Sequence, residues 1–404
     1  MKAVTQKDLF AKNVEAFLDS FKNVIDLDIE RGIRLDFEIV LKSKSDKLSP
    51  ILKLAKPEEA GEIVEICKNA YENTYPYKEF EDESQIRERI KSSNFKFILF
   101  KDEFNNNMGC FMCNLCFKEK KGYMGGFMIK KEYQGKLDIV KSIIGSYIWM
   151  WNTYKNCIAL WYCENRTAHA TSQYITSVCG IKTVAILPNK DTFFSNVESD
   201  VLGVIYNEDT LRKMRRKDFP KLIPEISNCF QYSNKKFNLG PVEFNYQSIE
   251  LKKDLLEKLR SEFVKSSQII TVGYEKFTFS YKKSDSFFQL IYTPWLNNIE
   301  KIEYKVKNLE ELAVFIEELQ KLTKIFNIRY VEVYVSAYEP LQQKLFCESG
   351  LSPRGYVPSW KYNAELDAFE DYILFNHYKS EIKNIILLPE GLELLEVLNL
   401  DITY

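Results

Sequence analysis

Three cysteines in the stretch GCFMCNLCF have the spacing of iron–sulfur ligands. Cys110, Cys113 and Cys116 follow the pattern C-x2-C-x2-C. No Gly or Pro lies between them and turn-like segments flank the run, so the stretch is predicted to be a β-strand. Residues three apart on a strand point to opposite faces, and Cys110 and Cys116 would be about 20 Å apart. We therefore expect free cysteines used as small apolar side chains, and no metal.

The bulk composition limits the classes of function. The chain has 404 residues, which suits two or three globular domains, and its 56 basic and 57 acidic residues nearly cancel. It therefore lacks the basic surface that nucleic acid or an anionic membrane selects, and no run of about 18 apolar residues could span a membrane. Nine cysteines without regular spacing, and a start that does not resemble a signal segment, predict a cytoplasmic protein.

Hydrophobic periodicity predicts two blocks with one order of elements. An amphipathic helix within residues 5–25 and a strand in RLDFEIVLKS come first. Each block is then predicted to contain antiparallel strands followed by helix, strand, helix and strand. We expect the following division: 1–50, an N-terminal extension; 51–207, the first block; 208–239, a polar linker; 240–380, the second block; 381–404, a tail.

A gapless alignment supports a tandem repeat. HATSQYITSVCGIKTVAILP in the first block aligns with EPLQQKLFCESGLSPRGYVP in the second. Each segment leads into an Asp and an apolar strand, at Asp200 and Asp371. The aligned pairs include Gln173 with Gln343, Gly180 with Gly350, and Pro188 with Pro358.

The element order and two motifs resemble the GNAT acyltransferase superfamily, over about residues 50–207 and more weakly 240–378. KKEYQGKLDIVKSII is similar to the superfamily's acyl-CoA motif, Q/R-x-x-G-x-G/A. ENRTAHATSQYITSVCGIK is similar to its later strand-to-helix motif, in a tandem form whose pattern is H-x-x-S-Q. The resemblance implies an α+β fold with two GNAT-like domains in tandem, each a central, mostly antiparallel sheet flanked by helices.

The same resemblance implies acetyl-CoA as a co-substrate bound to the first block. A pyrophosphate needs several backbone N–H donors, which a tight turn before a helix supplies. Where the superfamily has small residues, however, this chain has Leu137 and Ile139, and Asp138 adds a like charge, so a plain loop that has lost CoA binding is the alternative. The implied CoA contacts are the strand backbone of Phe127, Met128 and Ile129, the turn Gln134, Gly135, Lys136, Leu137 and Asp138, and the helix residues Ser172 and Gln173.

Candidate catalytic groups follow from the needs of acyl transfer, which are a neutral amine, a contact for the thioester oxygen and a proton for the thiolate. Glu164 is the best-placed carboxylate, with helix capping as its alternative role. His169 titrates near neutral pH, but such a position also caps a helix or contacts the cofactor. Thr176 stands where the superfamily has its acidic Tyr, and Tyr174 is a candidate substitute. Tyr75 and Tyr77 lie in the loop that forms the acceptor side, or simply pack on the domain edge.

The second block has no glycine at its strand-to-helix turn and places Glu310 and Glu311 at the helix start, which would repel phosphate. We expect it to bind no CoA and to cover the first block, close the substrate cleft or dock a protein partner. Two functions remain open. One is an N-acyltransferase, acting on a small-molecule or protein amine. The other is an inactive GNAT-fold binding or scaffold protein.

Overall fold

The computed structural model describes residues 2–4, 9–23, 25, 27–39, 47–271 and 273–403. The α-helices are α1 (Val14–Phe21), α2 (Ala60–Tyr71), α3 (Glu83–Lys91), α4 (Ile139–Tyr154), α5 (Thr171–Val178), α6 (Glu208–Arg212), α7 (Ser227–Phe237), α8 (Lys253–Glu262), α9 (Leu309–Ile325), α10 (Pro340–Glu348) and α11 (Pro389–Leu398). No helix in these ranges is long and apolar enough to cross a membrane.

The β-strands of the same residues carry most of the architecture. They are β1 (Lys2–Val4), β2 (Ile33–Arg34), β3 (Phe37–Ile39), β4 (Ile51–Leu54), β5 (Phe95–Lys101), β6 (Asn107–Cys116), β7 (Lys121–Ile129), β8 (Leu160–Arg166), β9 (Lys182–Phe193), β10 (Asn196–Tyr206), β11 (Lys221–Leu222), β12 (Glu243–Phe244), β13 (Phe263–Thr271), β14 (Tyr274–Tyr281), β15 (Phe287–Thr293), β16 (Asn298–Lys305), β17 (Tyr330–Ser336), β18 (Ser352–Asn363), β19 (Ala368–Tyr378), β20 (Ile382–Lys383) and β21 (Ile402–Thr403).

Fifteen of these strands form one sheet with the order β13-β14-β15-β16-β17-β19-β18-β9-β10-β8-β7-β6-β5-β4-β2. Counted inwards from one edge, the first half has the order β4-β5-β6-β7-β8-β10-β9. Counted inwards from the other edge, the second half has the order β13-β14-β15-β16-β17-β19-β18. The sheet therefore has two equivalent halves, which meet at β9 and β18. At that junction Gly355 pairs with Ala185. A Cβ on Gly355 would lie 2.3 Å from the carbonyl oxygen of Val184, so glycine is required for this close approach.

Each half is antiparallel except for one parallel pair, β7 with β8 and β16 with β17. A helix connects the two strands of each parallel pair, α4 in the first half and α9 in the second, as a parallel crossover requires. The mixed α+β fold with a mostly antiparallel sheet is thus confirmed. The halves differ between their first two strands, because α2 and α3 lie between β4 and β5 but β13 and β14 are joined by a short turn.

The cysteine-containing stretch forms β6, as predicted. Cys110 packs in the core cluster under α2, and Cys113 packs in the cluster on the opposite face of the sheet. Burial raises the pKa of the Cys110 thiol well above its usual value and that of Cys113 to about 12. These side chains therefore remain protonated and apolar in character.

The start of the chain matches the expected pattern in part. The predicted N-terminal helix is observed as α1, where Asn13 caps the N-terminus by accepting a hydrogen bond from the amide of Ala16 at 2.8 Å. Residues 5–8 lie outside the described residues. The strand expected in RLDFEIVLKS is observed as β2 and β3, and its last residues, from 40 onward, also lie outside the described range.

The segments expected as a linker and a tail both contain packed helices. In 208–239, helix α7 packs against β18 of the second half, and Leu222 and Ile226 are fully buried. In 381–403, helix α11 packs against β9 of the first half and buries Leu394. The segment 208–239 thus follows β10 of the first half but packs on the second half. The segment 381–403 follows β19 of the second half but packs on the first half.

Candidate active site

A cleft of about 640 Å³ lies between the two halves and is the candidate active site. Successive residues of β8 point to opposite faces of the sheet: Trp161 and Cys163 pack towards α4, whereas Tyr162 and Glu164 face the cleft. Both halves supply the lining. The first contributes Tyr75, Tyr77, Tyr123, Tyr162, Glu164 and Lys190, and the second contributes Glu300, Glu332, Tyr334 and Trp360.

Three glutamates surround one lysine at the inner end of the cleft. Lys190 Nζ lies 2.9 Å from Glu164, 3.4 Å from Glu300 and 3.3 Å from Glu332, and its side chain is 4% exposed. We call Glu164, Glu300 and Glu332 the acid trio. Two of its members come from the second half, so the cluster exists only when both halves are assembled.

The charges of this cluster perturb one another because they are buried. Burial alone would lower the pKa of Lys190, but the facing carboxylates raise it well above its usual value. Burial raises the pKa of Glu332 to about 7, against the opposing effect of Lys190, and it also raises the pKa of Glu300. Lys190 is therefore the cation of the cluster, and part of the carboxyl population holds a proton near neutral pH.

The second half also fixes the backbone of Lys190. The carbonyl oxygen of Lys190 accepts hydrogen bonds from Asn298 Nδ2 at 2.6 Å and from Arg329 Nη2 at 2.8 Å. Asn298 is fully buried, and Arg329 additionally donates to the carbonyl oxygen of Leu296. These contacts tie β9 to the second half directly beside the acid trio.

Asp191 lies next to Lys190 and contacts the predicted acceptor loop. Tyr77 Oη lies 3.3 Å and 3.2 Å from the two carboxylate oxygens of Asp191 and donates a hydrogen bond to this group. Burial raises the pKa of Asp191 to about 6. Tyr75 packs edge-on against Tyr77 and Phe80 at the same wall. Tyr75 and Tyr77 therefore both line the cleft, where the sequence analysis expects the acceptor.

An aromatic wall faces the acid trio. Trp360 stacks on Tyr334 with ring centroids 4.6 Å apart and meets Tyr162 edge-on at 4.9 Å. Lys121 lies over the Trp360 ring at 4.5 Å and pairs with Glu119 at 2.5 Å. Aromatic faces next to carboxylates favour cationic groups, since the negative face of a ring attracts positive charge.

The parallel strands β7 and β8 separate beside the cleft. They pair over three positions only, although β7 continues to Ile129 and β8 to Arg166. Beyond these positions β7 stays paired with β6, and β8 stays paired with β10. One backbone edge of β7, including Phe127, Met128 and Ile129, consequently has no strand partner among the described residues. The three paired positions are Lys121 with Leu160, Gly122 with Trp161, and Tyr123 with Tyr162.

Most backbone N–H groups of the turn that follows β7 already donate hydrogen bonds within the protein. The amides of Lys136 and Leu137 both donate to the carbonyl oxygen of Tyr133, and the amide of Asp138 donates to that of Leu48. The Asp138 side chain accepts from the amide of Lys141 and caps α4. Gly135, with φ +77°, is exposed, and a Cβ built there would meet nothing within 4 Å. The open part of this turn is therefore Gly135 with the exposed Lys136, because Gln134 Nε2 donates to the carbonyl oxygen of Ile129 at 3.2 Å.

The predicted residues of the later motif lie away from the cleft lining. His169 lies at the surface before α5, and partial burial, followed by the charge of Arg166, lowers its pKa below the usual value. Tyr174 is 39% exposed on α5, and Thr176 accepts a hydrogen bond from Asn165 Nδ2. Gln173 hydrogen-bonds the chain before α11. Glu164 is thus the only one of the three predicted catalytic residues that lies in the cleft.

Ser172 differs from its neighbours, because its Oγ is buried without a hydrogen-bond partner among the described residues. It lies on α5, on the face of the sheet opposite the cleft.

Sequence reasoning missed the charged residues that β9 and the second half supply. A signal for Lys190 and Asp191 was present, since two charges interrupt an otherwise apolar strand in VAILPNKDTFF. Glu300, Glu332 and Trp360 gave no local signal. Their role depends on how the two halves meet, which no single segment encodes.

Comparisons with known proteins give weak structural likenesses. No protein-family model matches the chain, and no curated protein matches it. Similar solved structures include spermidine N-acetyltransferase from Vibrio cholerae in complex with CoA and spermine, with 16% identity and a TM-score of 0.34 over 39% of this chain and 95% of that one. Another is a ribosomal-protein-S5-alanine acetyltransferase from Vibrio fischeri, with 14% identity and a TM-score of 0.34 over 41% of this chain and 96% of that one.

Proposed function

We propose that the protein is an acyl-CoA-dependent N-acyltransferase whose acceptor amine binds in the cleft between the two halves. The observation that carries the proposal is the separation of β7 from β8 next to Glu164. It leaves an open backbone edge where a thioester can lie, within the same region as a buried set of carboxylates. The resemblance of the sequence motifs to the GNAT superfamily supports the same assignment.

The chemistry assigned to these residues begins with the amine. The ammonium group of the acceptor gives one proton to a carboxylate of the acid trio, and the neutral nitrogen attacks the thioester carbonyl carbon. The C–N bond forms, and N–H groups on the open edge of β7 hold the oxygen that becomes negative. The C–S bond then breaks, and the second proton of the amine nitrogen goes to the departing thiolate. The products are an amide and free CoA.

The fit of CoA to the chain is uneven. The open edge of β7 and the exposed Gly135 suit a thioester and a phosphate. The engaged amides of Lys136, Leu137 and Asp138, and the Asp138 carboxylate at the start of α4, do not. We assign the phosphate contact to the Gly135 amide and the Lys136 side chain, because these groups are exposed at the turn.

The hydrogen bonds that the turn already makes within the protein also favour a second candidate, a GNAT-fold binding protein that no longer binds CoA. In that case the cleft would bind a ligand without transferring an acyl group. The protein would then give no response to acetyl-CoA.

Calorimetry with acetyl-CoA separates the two functions. We expect one binding site per chain, and weaker binding by Gly135→Phe, because a bulky side chain would occupy the space above the turn. Gly240→Phe is the matched control, since Gly240 also has a positive φ (+87°) and open space around its Cβ position. Equal loss in both variants would indicate backbone strain, and no binding by the unmodified protein would favour the binding-protein function.

A further inference from the structure

The charged side chains that line the cleft are of both signs. The inner end holds the acid trio and one cation, Lys190, so carboxylates outnumber ammonium groups by three to one. Trp360 and the tyrosines form its walls. Among the other charged residues of the lining, Arg89 pairs with Glu79, Lys121 with Glu119, and Lys305 with Asp285. Lys301 and Lys361 also line the cleft and form no ion pair among the described residues.

One carboxylate oxygen of the inner end is in an ion pair but has no hydrogen-bond partner among the described residues. Glu300 Oε1 is buried and accepts no hydrogen bond from the described residues, although Lys190 Nζ lies 3.4 Å away. The Glu300 side chain is 7% exposed and lines the cavity. A buried carboxylate oxygen without a donor is costly, so this atom is suited to receive an N–H group from a ligand.

From this arrangement we infer that the cleft binds a small zwitterionic amine, with its ammonium group on the acid trio and its anionic group at Lys301 and Lys361. The ligand class is that of amino acids whose amine and carboxylate are separated by a short carbon chain. The ammonium satisfies Glu300 and offsets the surplus of inner carboxylates, and the aromatic wall contacts the carbon chain. A cavity of about 640 Å³ lies in the range that such small ligands occupy.

The inference rests on the proposed function, because it names the acceptor class of the same cleft. It nevertheless has a separate test, since amine binding is measured without any thioester. A protein that binds the amine but not acetyl-CoA would retain this inference and lose the proposed function.

The test uses four six-carbon probes that differ only in their ends: 6-aminohexanoate, hexylamine, hexanoate and 1,6-diaminohexane. Calorimetry on the full chain should rank 6-aminohexanoate first, hexylamine next and hexanoate last. Tighter binding of 1,6-diaminohexane than of 6-aminohexanoate would overturn the assignment of the anionic group to Lys301 and Lys361. No binding of any probe that carries an amine would overturn the ammonium site.

Two substitutions locate the ends of the ligand. Glu300→Gln keeps the shape but removes the charge, and should weaken both 6-aminohexanoate and hexylamine by about tenfold or more, as expected for a lost charged hydrogen bond. Lys361→Met should weaken 6-aminohexanoate and leave hexylamine unchanged. The reverse pattern, or equal effects of Lys361→Met on both probes, would contradict the proposed orientation. Unfolding curves of both variants verify that the fold is intact.

Discussion

Gln173 and Gln343 make three equivalent hydrogen bonds in the two halves of the molecule. Gln173 Nε2 donates to the carbonyl oxygens of Arg166 and Ile386, and its Oε1 accepts from the amide of Leu388. Gln343 repeats this with three equivalent backbone groups. Each glutamine thus joins the end of the strand that precedes its helix, β8 or β17, to a distant segment that precedes another helix. The three equivalent contacts of Gln343 are to Ser336 O, Lys221 O and Ile223 N.

These contacts explain why the regions around 208–239 and 381–403 pack as they do. The segment before α7 is held by Gln343 of the second half, and the segment before α11 by Gln173 of the first. Both segments contain a Pro at the start of the following 3₁₀- or α-helix, Pro224 and Pro389. Each half of the sheet is therefore covered in part by a helix that follows the other half in the chain.

Removing either glutamine side chain should destabilise the whole protein. Gln173→Ala and Gln343→Ala each leave buried backbone groups without partners, so we expect a loss of about 1–3 kcal/mol in the free energy of unfolding. Gln320→Ala is a suitable control, because the exposed Gln320 also donates to a backbone oxygen, that of Ser349. Urea unfolding measures all three, and a loss for Gln320→Ala as large as for the others would contradict this explanation.

Lys190 should be required for stability at high pH more than at low pH. In Lys190→Met, the acid trio loses its cation, and removal of one partner of a buried ion pair costs about 3–5 kcal/mol. Protonation of the carboxyl groups relieves that cost, so the variant should be closest to the unmodified protein near pH 5. Unfolding curves across the pH range provide the measurement. A constant difference at every pH would mean that packing, and not charge, explains the loss.

The unmodified protein should lose stability as the pH rises through the neutral range. Burial raises the pKa of Asp191 to about 6 and that of Glu332 to about 7, so the native state keeps protons that the unfolded state has already released. The contribution of these two groups to stability is therefore full below about pH 4, where both states hold the protons, and is lost as the pH rises to about 7. Glu332→Gln should flatten part of this slope, and an unchanged slope would contradict the assignment. The groups that face Glu332 are Lys190, Glu300, Glu164 and Tyr330.

The cysteines should react in order of exposure. Cys157 is exposed, Cys116 and Cys347 are half-buried, and the remaining six of the nine are buried as free thiols. A thiol reagent should therefore modify Cys157 first in the native protein and all nine after unfolding. Metal analysis of protein purified without oxygen accompanies the titration. Stoichiometric iron that is lost in Cys113→Ser would contradict the assignment of these residues as apolar side chains.

The mixed α+β fold could be predicted from the sequence because the order of its elements depends on local patterns. Helical and strand periodicity identified β6, α4 and the matched helices α5 and α10. Tyr75, Tyr77 and Glu164 line the cleft, and their roles in acceptor binding and catalysis stay predictions. His169 and Tyr174 are exposed, and Gln173 of the same motif hydrogen-bonds the backbone of Ile386.

The rest of the site depends on long-range pairing. The meeting of β9 with β18 brings Lys190 to Glu300 and Glu332, and the register pair of these two strands, Gly355 with Ala185, requires a glycine. The exchange of α7 and α11 between the halves likewise has no local signal beyond a Leu-x-Pro-Glu pattern at Leu222 and Leu387. Neither feature follows from the periodicity of one segment.

The most direct test of the central claim is the rate of thiol release from acetyl-CoA in the presence of 6-aminohexanoate. We predict release that requires both the protein and the amine, with Glu332→Gln raising KM for the amine while the calorimetric Kd for acetyl-CoA stays unchanged. Release at the same rate with and without an amine, or none above the rate in buffer, would contradict the account of a transferase whose two halves share one acceptor cleft.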